Sequence, residues 1–255
     1  MRNYPRRHSA LALWSRRLAV FGVAVALAGI LLARRGSVEP VQGLVVIGCG
    51  AALSALALLL ALMSYVDIWR TGAIGLTHAN VAVLLALASL AWPATQMVRA
   101  YRLPAINDIS TDLKDVPAFS RARSALEMRA GHVPGESSAQ TRALQQSAYP
   151  DVQPLTLEFG GEEAYSLVIE ALRTLKWTVV DQSPPSGRSG VGRIDAIVTT
   201  PILRFTDDIT IRIRPLANET RIDIRSASRV GRHDLGANAA HVRALSEAIM
   251  AQTGN

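Results

Sequence analysis

Cysteine is nearly absent. The 255-residue chain has one, Cys49, which excludes a disulfide framework and any multi-cysteine zinc or iron–sulfur site. Lysine is almost as scarce, with only Lys114 and Lys176, so arginine carries the positive charge. Aromatic residues make up 5% and charged residues 18% of the chain, against 49% hydrophobic residues. A mean hydropathy of +0.21 excludes global disorder, because so apolar a chain must bury surface. Residues 18–33, 41–66 and 80–98 contain no Asp, Glu, Lys, Arg or His. Ionisable groups inside a membrane mark proton relays and ion paths, so their absence argues against a pump or transporter.

The net charge of +7 is unevenly placed. Residues 1–150 carry 15 Arg and Lys against 7 Asp and Glu, and residues 151–255 carry 12 against 13. The excess flanks the apolar stretches and does not cluster on the C-terminal part, so the charge pattern indicates topology rather than nucleic-acid binding.

At about 1.5 Å per residue, the three apolar stretches would span about 24, 39 and 28 Å, against about 30 Å of hydrocarbon. The first is short, but Arg16, Arg17, Arg34 and Arg35 can snorkel at its ends. It is read as a retained helix, because Leu31-Leu32-Ala33-Arg34-Arg35 is not a signal-peptide cleavage site. The first helix has five Arg before it (Arg2, Arg6, Arg7, Arg16, Arg17) and two after it. This bias places the N-terminus in the cytoplasm and, after three spans, the remainder outside it, in the periplasm of a cell with two membranes. Gly50 with Ser54, and Ala51 with Ala55, are small residues four apart that would let another helix approach. Pro93 is expected to kink the third helix. His78, Asp67 and Arg70 read as interfacial anchors beside Trp69.

Residues 101–153 are turn-rich and read as a linker and docking segment, with a short helix over 122–129. From 154 the periodicity sharpens. Leu155 and Leu157 alternate with polar residues as in a strand. Residues 162–175 repeat apolar side chains with the helical period, and Glu162 and Glu163 favour the helix N-terminus. Strands follow at 177–180 and 193–200, separated by the breaker Ser183-Pro184-Pro185-Ser186-Gly187. Residues 208–214 and 221–226 form a hairpin. A turn centred on Ala217-Asn218 sets Ile211 opposite Ile224, Ile213 opposite Ile222, and Arg212 opposite Asp223. A last helix covers 237–251. The expected fold is an α-helical membrane anchor of three transmembrane helices over 1–100, then an α+β domain over 154–255 whose antiparallel sheet carries helices on one face.

Four motifs occur in order: Asn-Asp-Ile-Ser-Thr-Asp at 107–112, Gln-Ser-Ala-Tyr-Pro-Asp at 146–151, Phe-Thr-Asp-Asp at 205–208, and Arg-Ser-Ala-Ser-Arg-Val-Gly-Arg-His-Asp-Leu-Gly-Ala-Asn at 225–238. Together they resemble the bacterial family called domain of unknown function 1499, over about residues 104–252. The resemblance implies no reaction. Members often carry Arg after the Asn of the last motif, where this chain has Ala239.

Within that motif, Arg225, Arg229 and Arg232 with Ser226 and Ser228 form a candidate anion- or partner-binding set, since guanidinium forks and hydroxyls match phosphate oxygens. The competing reading is structural. Asp207 and Asp208 then pair with these arginines, Asp234 or Asn238 caps the last helix, and Gly231 and Gly236 serve tight turns. Ser226, His233 and Asp234 contain the residue types of a hydrolase triad, but adjacent His and Asp are poorly placed for it and no Gly-x-Ser-x-Gly elbow is present. Asp207 and Asp208 lack a third metal ligand at recognisable spacing, and 187–192 lacks the Lys-Ser/Thr of a nucleotide loop. The expectation is a non-catalytic inner-membrane accessory or interaction protein without cofactor or metal. Its expected partners are membrane lipids and another membrane protein, not nucleic acid. A lipid- or anion-binding module is the first alternative. An enzyme with a pocket lined by Asp207, Asp208, His233 and Asp234 is the second.

Overall fold

A computed structural model describes residues 7–186 and 190–254. Arg2, Arg6 and Gly187 lie outside the described residues. The chain divides into two units, Met1–Val98 with Pro201–Arg204, and Arg99–Thr200 with Phe205–Asn255.

The first unit contains three helices long and apolar enough to cross a membrane: α1 (Ala10–Arg34), α2 (Pro40–Thr71) and α3 (Leu76–Arg102). Each outruns the apolar stretch that announces it. α1 starts early because Ser9 caps it, its Oγ accepting from the Ala12 amide. α2 opens on Pro40 behind a Glu39–Gln42 capping box and ends at Gly72, whose φ of 68° suits glycine. Pro93 lies inside α3, which continues to Arg102.

Close approach of α1 and α2 depends on missing side chains. A Cβ added at Gly50 would sit 2.7 Å from both the Ala26 nitrogen and the Gly22 carbonyl oxygen. One at Gly22 would meet Ser54 Oγ at 2.8 Å. Gly50 and Ser54 therefore serve contacts within this chain, and the Ser54 hydroxyl also donates to Ser89 on α3 at 3.1 Å. Ala51 is half-buried and Ala55 is exposed, so this second pair lies away from the α1 contact. Ala19, Ala57, Ala61 and Ala82 make the small buried core.

The second unit is an α+β fold. Its elements are β1 (Asp108–Ser110), α4 (Arg123–Met128), α5 (Ala139–Ala148), β2 (Leu155–Leu157), α6 (Gly161–Thr174), β3 (Thr178–Ser183), β4 (Gly192–Thr199), β5 (Thr206–Pro215), β6 (Thr220–Ser228) and α7 (Ala237–Thr253). The antiparallel sheet runs β1-β6-β5-β4-β3, and β2 also pairs with β6. The hairpin has the expected register, with Ile211 opposite Ile224, Ile213 opposite Ile222 and Arg212 opposite Asp223.

Strand alternation gives the sheet two different faces. One carries Ile194, Ile209, Ile211, Ile213, Ile222 and Ile224, packed against Val168 and Leu172 of α6 and Val242, Leu245 and Ile249 of α7. Ala239 is fully buried in this core. Burying each such aliphatic side chain contributes about 1.5–3 kcal/mol.

The other face is covered by the chain between β1 and α5. The segment 101–153, expected as linker and docking segment, thus supplies a strand and a covering layer to the compact unit. β1 is three residues long, too short to show alternation. α5 turns a polar side chain inward. Gln145 mimics a strand partner for β1, its Oε1 accepting from the Ser110 amide at 3.0 Å and its Nε2 donating to the Ser110 carbonyl at 2.6 Å. Neither element announces itself through apolar periodicity.

Candidate functional site

The covered face holds a layer of ion pairs. Asp208, Thr210, Arg212 and Arg214 of β5 point there, with Arg221, Asp223 and Arg225 of β6. At its centre Arg129 is fully buried. Its Nη2 donates to Asp195 at 2.6 Å, its Nε to Asp208 at 3.2 Å and its Nη1 to the Ser120 carbonyl at 3.0 Å. Arg229 closes the group, donating from Nε and Nη2 to the two oxygens of Asp208 at 3.0 and 2.8 Å. Arg225 makes the same two-pronged contact with Asp108, at 2.9 and 2.8 Å, and donates to the Pro117 carbonyl. The Phe119 ring lies 5.1 Å from the Arg129 guanidinium and 4.9 Å from that of Arg225, a pair of cation–π contacts.

Further along the hairpin, Arg212, Arg214 and Arg221 converge on Asp112 and Asp223. Asp112 feels some desolvation, but backbone amides of Asp115 and Lys114 and the charges of Arg221 and Arg212 hold its carboxyl below the usual range.

The remaining motif residues turn to the opposite face, at the start of α7. Ser226 Oγ donates to Asn238 Oδ1 at 2.6 Å, and Asn238 Nδ2 donates to Ser228 Oγ at 2.8 Å and to the Asn107 carbonyl at 3.1 Å. Asp234 accepts from the Gly236 and Asn238 amides at 2.8 and 2.9 Å and so caps α7. Gly231 and Gly236 have φ of 91° and 83°, turns that favour glycine. Arg232 is exposed.

Sequence reasoning missed His241. Its Nδ1 lies 3.6 Å from Asp207 Oδ2 and 3.5 Å from Ser226 Oγ. Both groups address the same ring nitrogen. A hydrolytic triad needs its carboxylate and its nucleophile on opposite nitrogens. Burial pushes the Asp207 carboxyl up to about 6, helped by Asp234 and Asp208 and opposed by the Ser228 hydroxyl and Arg229. Burial pushes the His241 imidazole down to about 4, against the attraction of Asp234. The ring packs edge-on to Trp177, with centroids 5.6 Å apart.

His233 accepts from the Leu235 amide through Nδ1 at 3.0 Å, a turn contact rather than a partner for Ser226. Asp207 and Asp208 are consecutive on a strand and point to opposite faces, so they do not join His233 and Asp234 in one pocket. Asn107, Asp108, Ser228 and Arg229 do line a cavity of about 370 Å³ beside the 134–138 loop. Its Asp108 is paired with Arg225, and its Arg229 with Asp208. Among the described residues, no group of three or more His, Cys, Asp or Glu is placed to hold a metal ion.

Arg129, Asp195 and Phe119 are the other participants that sequence reasoning left out, and Asp108, legible within the 107–112 motif, pairs with Arg225. A lone Arg at the end of a weak six-residue helix carries no local mark of burial.

A family model described as a protein of unknown function (DUF1499) matches residues 108–249. No curated protein matches the chain. The match begins at the first residue of β1, so it includes the covering segment as well as the sheet.

Proposed function

The chain belongs to this family of proteins of unknown function, and on that premise we propose that it is a non-catalytic, membrane-anchored protein acting as an interaction or accessory subunit of a membrane assembly. In this reading it resides in a bacterial inner membrane with its N-terminus in the cytoplasm and its α+β unit in the periplasm. The arginine distribution around the three apolar helices supports that orientation.

One observation carries the functional reading. Three charged groups of the 225–238 motif are spent on building the domain. Arg225 is committed to Asp108, Arg229 to Asp208, and Asp234 to the α7 cap. Such a motif preserves a rigid presenting surface rather than a reacting group. The test is purification from membranes at native expression level in mild detergent, with light scattering for mass and mass spectrometry for partners. A reproducible stoichiometric partner is the expected result. A lone monomer that enriches no protein would sink the reading.

An anion-binding role is the second reading, favoured by the cavity beside Ser228 and Arg229. Arg229 spends Nε and Nη2 on Asp208, which leaves Nη1 to offer a ligand. Arg225 is unsuited to it, being 3% exposed and paired. Loss of co-purifying phospholipid in Arg229→Lys would support this role, and unchanged lipid would oppose it.

A further inference from the structure

A separate groove of about 580 Å³ lies between α6 and β3, the edge strand of the sheet. Trp177, Ile169 and Val179 give it an apolar wall and Arg173 and Gln182 polar ones, while the Asp181 side chain turns to the opposite face of the sheet, to Ser120. Trp177 is half-buried, and its ring is held in place by the edge-on contact with His241.

Among the described residues, the polar side chains retain unused hydrogen-bonding capacity. Arg173 pairs with Glu170 through Nη1, leaving Nε and Nη2. Gln182 Oε1 accepts from the Tyr165 hydroxyl at 3.2 Å, leaving the amide nitrogen. Donors of Arg173 and Gln182, and the second lone pair of the Gln182 carbonyl, therefore line the same groove as Trp177.

We infer that this groove is a carbohydrate-binding site for a neutral sugar chain. A pyranose ring has an apolar C–H face that packs on an aromatic side chain. Its neighbouring hydroxyls each donate and accept, and they match planar amide and guanidinium groups. An anion is a poorer match, because Glu170 offsets Arg173. An extended peptide added to the β3 edge is also a poorer match. A register shift between Val179 and Asp181 interrupts the regular backbone row that strand addition requires. The volume falls within the range of about 300–1,000 Å³ usual for ligand sites.

The inference goes beyond the accessory-subunit reading and does not depend on it. A solitary protein that binds sugar would sink that reading and leave the groove standing.

Of the chain's four tryptophans, Trp14, Trp69 and Trp92 lie in the helical unit, so Trp177 reports on the groove. The full chain would be prepared in a polyoxyethylene detergent, since alkyl maltosides present sugar themselves. Fluorescence and calorimetry would follow titration with maltotriose, cellotriose and chitotriose. A parallel sedimentation with insoluble cell-wall glycan separates a polymeric source from a free oligosaccharide. Saturable binding of at least one of these probes is expected. Arg173→Ala with Gln182→Ala, both exposed side chains, should raise Kd about tenfold or more at unchanged Tm, a change of about 1.4 kcal/mol. Trp177→Phe should remove the fluorescence response while calorimetry still detects weakened binding. Absence of saturable binding by all four probes overturns the inference, as does equal affinity in the double variant. Saturable binding of an extended-peptide pool without any sugar response overturns it in favour of strand addition.

Discussion

Arg129 and Asp208 stand 79 positions apart in sequence and meet in the interior, Nε to Oδ1 at 3.2 Å, with neither side chain exposed. Asp195 lies on the other prong of the same guanidinium. Two carboxylates in this layer depend on one arginine that the covering segment delivers.

Arg129→Ala is therefore expected to destabilise the α+β unit severely. Removing one partner of a buried ion pair costs about 3–5 kcal/mol, because the remaining charge stays buried without compensation. Among the described residues Asp195 has no second arginine, whereas Asp208 keeps Arg229. Combining Arg129→Met with Asp195→Asn and Asp208→Asn should recover much of the loss. Near-UV circular dichroism melts of the full chain in detergent check both outcomes. A wild-type Tm in Arg129→Ala would refute the account.

Asp207 and His241 should nearly cancel one another in the pH dependence of stability. The Asp207 pKa is raised from 3.8 to about 6, so its contribution is full below the lower value and is lost as pH rises through the higher. The His241 pKa is lowered from 6.5 to about 4, so its contribution is present above the higher value and is lost as pH falls through the lower. Asp207→Asn leaves the histidine alone, and Tm should fall between pH 6.5 and 4. His241→Gln leaves the carboxylate alone, and Tm should rise on going from pH 6 to 4. Parallel slopes in the two variants would contradict the assignment.

Gly50→Val should separate α1 from α2. The added Cβ alone would meet the Ala26 nitrogen at 2.7 Å, and backbone cannot swing aside as a flexible side chain would. The helical unit should then lose protease resistance in detergent, while Ala55→Val, at an exposed position, changes nothing. Limited proteolysis of the two variants side by side makes the comparison.

The proposed orientation is checked with the chain's own cysteine count. Asn218 lies at the exposed hairpin turn. In a Cys49→Ala background, Asn218→Cys should react with a membrane-impermeant maleimide added to cells whose outer membrane has been permeabilised. Reaction only after the inner membrane is opened would reverse the topology.

Much of this fold follows from local pattern. The three apolar helices stand out because charge is missing over long stretches. The hairpin register follows because Ile209, Ile211 and Ile213 and their partners Ile222 and Ile224 repeat every second residue, and a one-residue slip would expose them all. The start of α7 was legible in part: Asp234 takes the Gly236 and Asn238 amides, while the N-cap position itself is Gly236 and Asn238 lies inside the helix.

Tertiary structure decided the partners. Arginine is abundant and its guanidiniums are chemically alike, so sequence cannot say which carboxylate each one meets. Arg225 finds Asp108, 117 positions away, because β1 pairs with β6. Asp207 and Asp208 part company because adjacent strand residues face opposite ways. His241 joins Asp207 and Ser226 only because α7 packs against β6, which pairs with β5. Periodicity fixes which side of an element is buried, but only the assembled sheet and its covering segment determine what each buried polar group touches.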